Sequence, residues 1–322
     1  MKNKCGYKVV VMGGGSGLSV ILKGLKSYTK NITAIVTVGD DGGSSGILRD
    51  DLGILPPGDI RNCLTALADD ESEMSKLLSF RFDTGSLKGQ SMGNLLIAAM
   101  CCIRGNFAEA VKAISDVLKI SGTVLPVTLE DMRITAELDN NEKISGESCI
   151  PLISYASESP IKRIYIEPKN AKAFHYCIEA LLDADVIIIG PGSLYTSVIP
   201  NLLIDGIQDA LVASKAKKFY CCNIMTQRGE TDNFTVSSHL KAIENHLYEG
   251  NKIFDYVLFN KDIHIENHII KHYQSEGSII VTPGDLDIYK DKYILIADNF
   301  LAVKGKYVIH DMEKIISYIA VN

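Results

Sequence analysis

The strongest constraint on this chain is a rhythm: short apolar runs of strand length recur between segments with a helix period. An apolar run at 8–12 leads into Gly13-Gly14-Gly15-Ser16-Gly17. Behind it Leu18, Ile21, Leu22 and Leu25 repeat at i, i+3, i+4 and i+7, one face of a helix. The next run, 32–38, ends in Gly39-Asp40-Asp41-Gly42-Gly43-Ser44-Ser45. Pro56-Pro57-Gly58-Asp59 then opens a helix with Ile60, Cys63, Leu64 and Leu67 on its apolar face; proline near the start and an acid in the first turn both fit that boundary. Residues 72–120 read as all helix, clearest at 95–103 and 108–120. Between 123 and 168 short alternating runs, 133–138 and 162–166, flank an Asp139-Asn140-Asn141 turn. The βα alternation then returns. Helices are expected at 171–182, 205–214, 236–249, 263–274 and from Asp311, and strands at 186–190, 219–224, 256–260 and 279–282. This order predicts an α/β fold, a doubly wound and mostly parallel sheet with helices on both faces. It is expected to form a single domain over 1–322 with a small β-rich excursion at 123–168.

A chain of 322 residues buries roughly three quarters of its unfolded surface and needs no covalent staples. The net charge of −6 argues against a broad phosphate-binding surface, so nucleic acid is not an expected partner. A local anion site is still open to it, because backbone N–H groups hold phosphate without positive net charge. The eight cysteines contain no CxxC, and Cys101/Cys102 and Cys221/Cys222 sit inside apolar runs, as small hydrophobes do in a reduced, cytoplasmic protein. The first apolar stretch, 9–12, is too short for a signal peptide, and no run approaches the length of a membrane span.

In open α/β sheets ligands bind outside the carboxyl ends of the strands, where strand order reverses. Four expected strand ends carry glycine-dense or unusually long loops. GGGSG before an amphipathic helix presents bare N–H groups at a helix N-terminus, suited to phosphate. It is not the dinucleotide fingerprint, since Leu18 stands where a third glycine belongs, and it lacks the lysine of a Walker loop. The plainer alternative is a tight βα turn. In GDDGGSSG, Asp40 or Asp41 is placed to hold a ribose hydroxyl, or to hold Mg²⁺ jointly with ligand phosphates. The bland alternative is that Asp40 caps its own turn. Gly43, Ser44 and Ser45 add flexible backbone and hydroxyls. Asp59, Arg61 and Asn62 fall in the first turn of the next helix and, with Asn94, are candidates to face the same crevice. In Gly190-Pro191-Gly192-Ser193-Leu194-Tyr195, Gly192 and Ser193 offer donors to a second phosphate and Tyr195 a ring to stack on. Asn223 and Thr226 follow the strand at 219–224.

Two segments match the nucleophile-elbow pattern GxSxG, around Ser44 and Ser91. No buried strand precedes Ser91, and no convincing helix is expected behind Ser44, so a serine hydrolase is the weakest reading. His264, His268 and His272 recur at i, i+4 and i+8, without an acid or cysteine at matching spacing, which reads as a solvated helix face.

Six blocks in order carry a resemblance: GGGSGLS, VGDDGGSSGxLR ending in Arg49, PPGDIRNCL, GNLL at 93–96, GPGSLYTSVxPNLL at 190–203 and CNxMTQxGET at 222–231. Through them the chain, from about residue 8 onward, resembles the CofD-like family, and within it the YvcK branch of gluconeogenesis factors. The resemblance implies a Rossmann-like fold that binds a nucleotide-linked ligand at these blocks. Members of the F420 pathway transfer a phospholactyl group from a nucleotide diphosphate carrier to a deazaflavin with Mg²⁺. The YvcK branch is associated with UDP-sugars such as UDP-N-acetylglucosamine, and with cell-wall growth and cell shape on gluconeogenic carbon. The last two blocks are more similar to that second branch. Arg228 departs from it, standing where relatives commonly carry proline, as does Ile309, where some carry arginine. The expectation is a nucleotide-sugar-binding regulator, with a phospholactyl-type transferase as the enzymatic alternative. Residues 13–17 would hold phosphate, Asp59 and Asn62 would complete a polar wall, and Gly192, Ser193, Asn223 and Thr226 would line the opposite side. A homo-oligomer is compatible with the sequence.

Overall fold

The computed structural model describes residues 6–68, 72–261 and 265–321. Twelve strands run in chain order: β1 Val9–Gly13, β2 Ile32–Val36, β3 Thr123–Pro126, β4 Arg133–Leu138, β5 Lys143–Ser145, β6 Ile161–Glu167, β7 Val186–Ile189, β8 Lys217–Cys221, β9 Tyr256–Asn260, β10 Ile294–Asp298, β11 Leu301–Lys304 and β12 Tyr307–His310. Seven of them form one sheet in the order β10-β9-β8-β7-β1-β2-β3, with every neighbouring pair parallel. β2 and β3 build outward on one side of β1, and β7, β8, β9 and β10 on the other. Strand order therefore reverses between β1 and β7, the doubly wound arrangement expected from the sequence.

Central strands of such a sheet are covered on both faces, so they read as continuous apolar runs rather than alternating ones. Val9, Val10, Val11 and Met12 of β1 are all buried, as are Val186, Ile187, Ile188 and Ile189 of β7. Helix Gly15–Leu25 lays Leu18, Ile21, Leu22 and Leu25 into the core and packs on helix Gly58–Leu67. The excursion is an antiparallel sheet in the order β5-β4-β6. Here alternation does appear, with Ile134, Ala136 and Leu138 inward on β4. Ile164 N–H of β6 donates to His246 Nε2 (2.9 Å), while His246 Nδ1 lies 2.7 Å from Ala242 O. Burial lowers the His246 pKa to about 4, so the ring is neutral; its proton sits on Nδ1, which donates to that carbonyl.

Two expectations fail for identifiable reasons. The apolar run at 279–282 is not a sheet strand: it makes a single bridge, Ile280 to Met225, and clamps the loop after β8 through Thr226 N to Ile279 O (2.8 Å) and Val281 N to Ile224 O (2.9 Å). Its place in the sheet belongs to β10, a half-exposed edge strand without the uniform apolar run of the centre. The region 72–120 is also not all helix, because a turn joined by an Arg81–Ser91 bridge separates helix Glu73–Ser79 from helix Met92–Arg104. Among the described residues no single helix is long and apolar enough to cross a membrane.

Asn201, 1% exposed, ties helix Ile199–Leu203 to the end of β1 by donating to Gly13 O (3.1 Å) as well as Ser197 O (2.9 Å). Replacing it by alanine is expected to cost about 2 kcal/mol, the usual penalty for breaking a buried polar tie. Urea unfolding should show a lower midpoint at unchanged slope.

Candidate ligand-binding site

At the reversal point the loops after β1 and β7 pack backbone to backbone. A Cβ on Gly17 would lie 2.8 Å from Pro191 O, and one on Gly14 would lie 2.6 Å from both Asp59 Oδ2 and Thr37 Cγ2. At Gly17 the obstacle is backbone, so only glycine permits the approach, whereas at Gly14 the neighbouring side chains would have to move. Thr37 N, just past β2, donates to Gly13 O (3.0 Å), and Gly190 N donates to Met12 O (2.9 Å). The first turn of helix Gly15–Leu25 has N–H groups without intrahelical acceptors, and its cap, Gly14, has no side chain to satisfy them. Gly15 N–H is taken by the Asp59 carboxylate. Burial raises the Asp59 pKa to about 6, that backbone bond works the other way, and the neighbouring Asp40 adds to the rise.

Two concave lobes meet where Gly14 abuts Asp59. The first, about 290 Å³, is bounded by residues 14–17, Gly192, Ser193 and the loop after β8, with Met225, Tyr273, Val308 and His310 on its far wall. The second, about 240 Å³, is bounded by Asp40, residues 42–45, Gly58, Asp59, Arg61, Asn62, Arg81 and Asn94. A larger cavity of about 850 Å³ lies on the free edge of β3, between helices Phe107–Leu118 and His175–Asp183. It lies along β3 at the sheet edge, away from the switch point between β1 and β7, and gathers none of the glycine loops, so the two smaller lobes are the better candidate site.

The structure thus brings Gly14, Gly15, Ser16, Gly17, Gly192, Ser193, Asn223 and Thr226 to one lobe, and Asp40, Gly43, Ser44, Ser45, Asp59, Asn62 and Asn94 to the other. Gly13 closes β1 beneath them. Several carry structural duties. Asn223 exchanges two bonds with Gly192, accepting from its N–H (3.2 Å) and donating to its carbonyl (2.9 Å). Thr226 Oγ1 accepts from Ile279 N (2.9 Å). Asp40 Oδ1 accepts from Gly42 N (2.9 Å), as a turn cap would.

Three expected ligand contacts are placed elsewhere. Asp41 is drawn to the excursion, where it accepts from Ser148 N (2.8 Å). Arg49 is buried and braces helix Gly43–Leu52 against Asp131 (Nε to Oδ1, 2.7 Å) and Met132 O (2.6 Å). Tyr195, 3% exposed, points into the core against Phe234 and His246, because the π-helical turn Leu194–Val198 rotates it inward.

A helix, Gly43–Leu52, does follow β2, contrary to the sequence expectation. Even so, Ser44 Oγ donates to Gln90 Oε1 (2.7 Å) and accepts from Ser91 N (3.2 Å), while Ser91 Oγ accepts from Arg61 Nη1 (2.9 Å). Among the described residues neither hydroxyl is hydrogen-bonded to a histidine or another general base. His264 lies outside the described residues, and among those described no group of three or more His, Cys, Asp or Glu side chains is placed to hold a metal. Arg228 stacks on Tyr155, 3.6 Å from the ring centroid, which packs the excursion's helix Ile150–Ala156 onto the loop after β8.

Two acids near the site carried no individual signal in the sequence. Glu147, from the excursion, has its pKa raised to about 8, mainly by burial and then by Asp40, Glu230, Asp59 and Asp41. Glu230 is buried and accepts from Tyr195 N (3.2 Å) and Thr196 Oγ1 (3.3 Å), which holds the turn behind Gly192 and Ser193.

A doubly wound parallel sheet with glycine loops nested at its switch point defines a class of α/β proteins that receive phosphorylated ligands at strand ends. Within that class the chain belongs to the CofD family, described as 2-phospho-L-lactate transferase CofD, whose match spans residues 9–301. A protein of Thermoanaerobacterium thermosulfurigenes is 51% identical over 311 residues, covering 96% of this chain and 95% of the relative. The gluconeogenesis factor of Bacillus subtilis is 43% identical over 314 residues, covering 96% of each. The crystal structure of protein BH3568 from Bacillus halodurans matches with a TM-score of 0.91 at 43% identity, over 98% of this chain and 99% of that one.

Burial raises the Glu230 pKa to about 7, against 4.5 for an ordinary glutamate. The folded protein keeps that proton up to about pH 7 and the unfolded chain only to about pH 4.5, so this group's contribution declines as pH rises through the window. The loss is of order 3 kcal/mol at 1.36 kcal/mol per unit. Thermal melts of wild type and Glu230→Gln from pH 4.5 to 8 should show the decline in wild type and a flatter profile in the variant.

Proposed function

We propose that the protein is a cytoplasmic nucleotide-sugar-binding regulator whose ligand is of the UDP-N-acetylglucosamine type, and that it supports cell-wall growth and cell shape during growth on gluconeogenic carbon. The observation that carries this reading is the contact of two glycine loops at the switch point. It leaves first-turn N–H groups of helix Gly15–Leu25 facing a lobe bounded by Gly192 and Ser193. A diphosphate is the ligand group that such a main-chain cradle suits, and it needs no lysine. The physiological part of the proposal leans on the relatives named as gluconeogenesis factors.

Mg²⁺ takes one or two protein carboxylates and completes its shell with phosphates and water. Asp40 fits such a role, since Oδ1 is held by Gly42 N–H while Oδ2 lies on the Gly58 side of the second lobe; Asp41, held by Ser148, fits it less well. An ion there would neutralise charge on the diphosphate. The second reading, transfer of a phospholactyl-type group from a nucleotide diphosphate donor, is supported by the family description. In that case this chain would act by positioning and by charge stabilisation rather than through a side-chain nucleophile.

Thermal melts with UDP-N-acetylglucosamine, GDP and NAD, each with and without Mg²⁺, test the proposal. UDP-N-acetylglucosamine at a hundredfold excess over its Kd is expected to stabilise the protein by about 2.7 kcal/mol. A shift with GDP alone would sink the UDP-sugar reading. Incubation with a deazaflavin acceptor, a nucleotide-diphosphate-linked phospholactate donor and Mg²⁺ is expected to yield no transfer product. Turnover would establish the enzymatic reading instead.

A further inference from the structure

The two lobes differ in chemistry in a way that orients the ligand. Among the described residues, the second lobe is lined by Asp, Asn, Ser, Arg and Gly alone, with neither an apolar side chain nor an aromatic ring. A nucleobase placed there would find no aromatic ring and no aliphatic side chain to pack on and would leave its apolar surface largely against charge. The first lobe offers what the second lacks: Ile224, Met225, Tyr273 and Val308 stand beyond the glycine loops.

Hydrogen-bonding capacity separates them again. In the second lobe Asn94 is 2% exposed, makes only a long bond to Ser45 Oγ (3.5 Å), and leaves Oδ1 buried without a partner. Asp40 spends Oδ1 on Gly42 N–H, while its Oδ2 lies beside Gly58 on the wall of the lobe. The cations present are partly committed, Arg61 to Ser91 Oγ (2.9 Å) and Asn62 Oδ1 (2.6 Å), and Arg81 to Gly89 O. The open valences in this lobe are thus mixed, the acceptor Asn94 Oδ1 beside the unpartnered donor Arg61 Nε, and hydroxyl groups, which both donate and accept, suit such a set. The volume, about 240 Å³, holds roughly eight waters at ~30 Å³ each, a fit for one pyranose ring.

Resting on the nucleotide-sugar reading, we infer that the lobe formed by Asp40, Asp59 and Asn94 receives the sugar of the ligand through its hydroxyl groups, while the base lies in the lobe of Met225, Tyr273 and Val308, with the diphosphate crossing between them at Gly14. The ligand thus runs across the switch point from the β8 side to the β2 side. Asp40 and Asn94 are specificity residues for the sugar, and Met225 is a contact of the nucleotide.

Isothermal titration of wild type, Asp40→Asn, Asn94→Ala and Met225→Ala with UDP and with UDP-N-acetylglucosamine, in EDTA, tests this assignment. Asp40→Asn keeps an acceptor for Gly42 N–H and converts the outer oxygen to a donor. It and Asn94→Ala are expected to weaken UDP-N-acetylglucosamine at least tenfold while leaving the Kd for UDP within about twofold of wild type, a result that also shows the variants fold. Met225→Ala should weaken both ligands by the same factor. Equal weakening of both ligands by Asp40→Asn and Asn94→Ala, or no change in either, overturns the assignment while wild-type binding leaves the parent reading standing. Wild type that binds neither ligand overturns both.

Discussion

The structure depends on one close approach, that of the backbone after β1 to the backbone after β7. Both strands lie at the centre of the sheet, and both are buried on two faces, so neither can shift without disturbing the core on each side. Gly17 lets the two strand-end loops touch, Gly14 lets Asp59 and Thr37 close against the first loop, and Asn223 fastens the second loop by exchanging two hydrogen bonds with Gly192. A side chain at Gly17 would separate the loops, and one at Gly14 would push Asp59 and Thr37 away. Main-chain donors are thereby held by a rigid scaffold, with no entropy left to lose in long cationic side chains when a ligand arrives.

Electrostatics around this junction run against simple intuition for an anion site. Asp40, Asp59 and Glu147 gather near the second lobe, with Glu230 beneath the loop after β7; burial raises the pKa of Asp59, Glu147 and Glu230, and repulsion from neighbouring acids adds to the rise at Asp59 and Glu147. Such crowding costs stability in the empty protein. The carboxylates are tolerated because each is given donors or depth: Gly42 N–H for Asp40, Gly15 N–H for Asp59, and Tyr195 N–H with the Thr196 hydroxyl for Glu230. Stability given up at a cleft in this way is commonly a mark of function rather than of folding.

Much of this was legible in the chain. The continuous apolar runs at 9–12 and 186–189 announced buried parallel strands, and glycine-dense segments behind them pointed to the candidate site, because a strand buried on both faces and a backbone that must approach another backbone each demand a narrow set of residues. Edge elements were less legible. β10 is half exposed and lacks a run, while the stronger run at 279–282 serves as a clamp on the loop after β8, a role that depends on where that loop lies. Tyr195, Arg49 and Asp41 sit within blocks that do reach the site, yet a π-helical turn, an Asp131 pairing and a bond to Ser148 direct them away from it.

The sequence by itself determined the fold class, the central strands of the sheet and the family, since periodicity, burial demand and glycine spacing are local properties written along the chain. Tertiary structure alone decided which strand lies beside which, that Glu147 and Glu230 join the aspartates from segments far apart, and that the candidate site has one wholly polar lobe and another with apolar walls. The physical reason is that hydrogen-bond partners, burial and the Coulomb field at a side chain depend on distances between remote segments, and those exist only once the sheet has closed around β1 and β7.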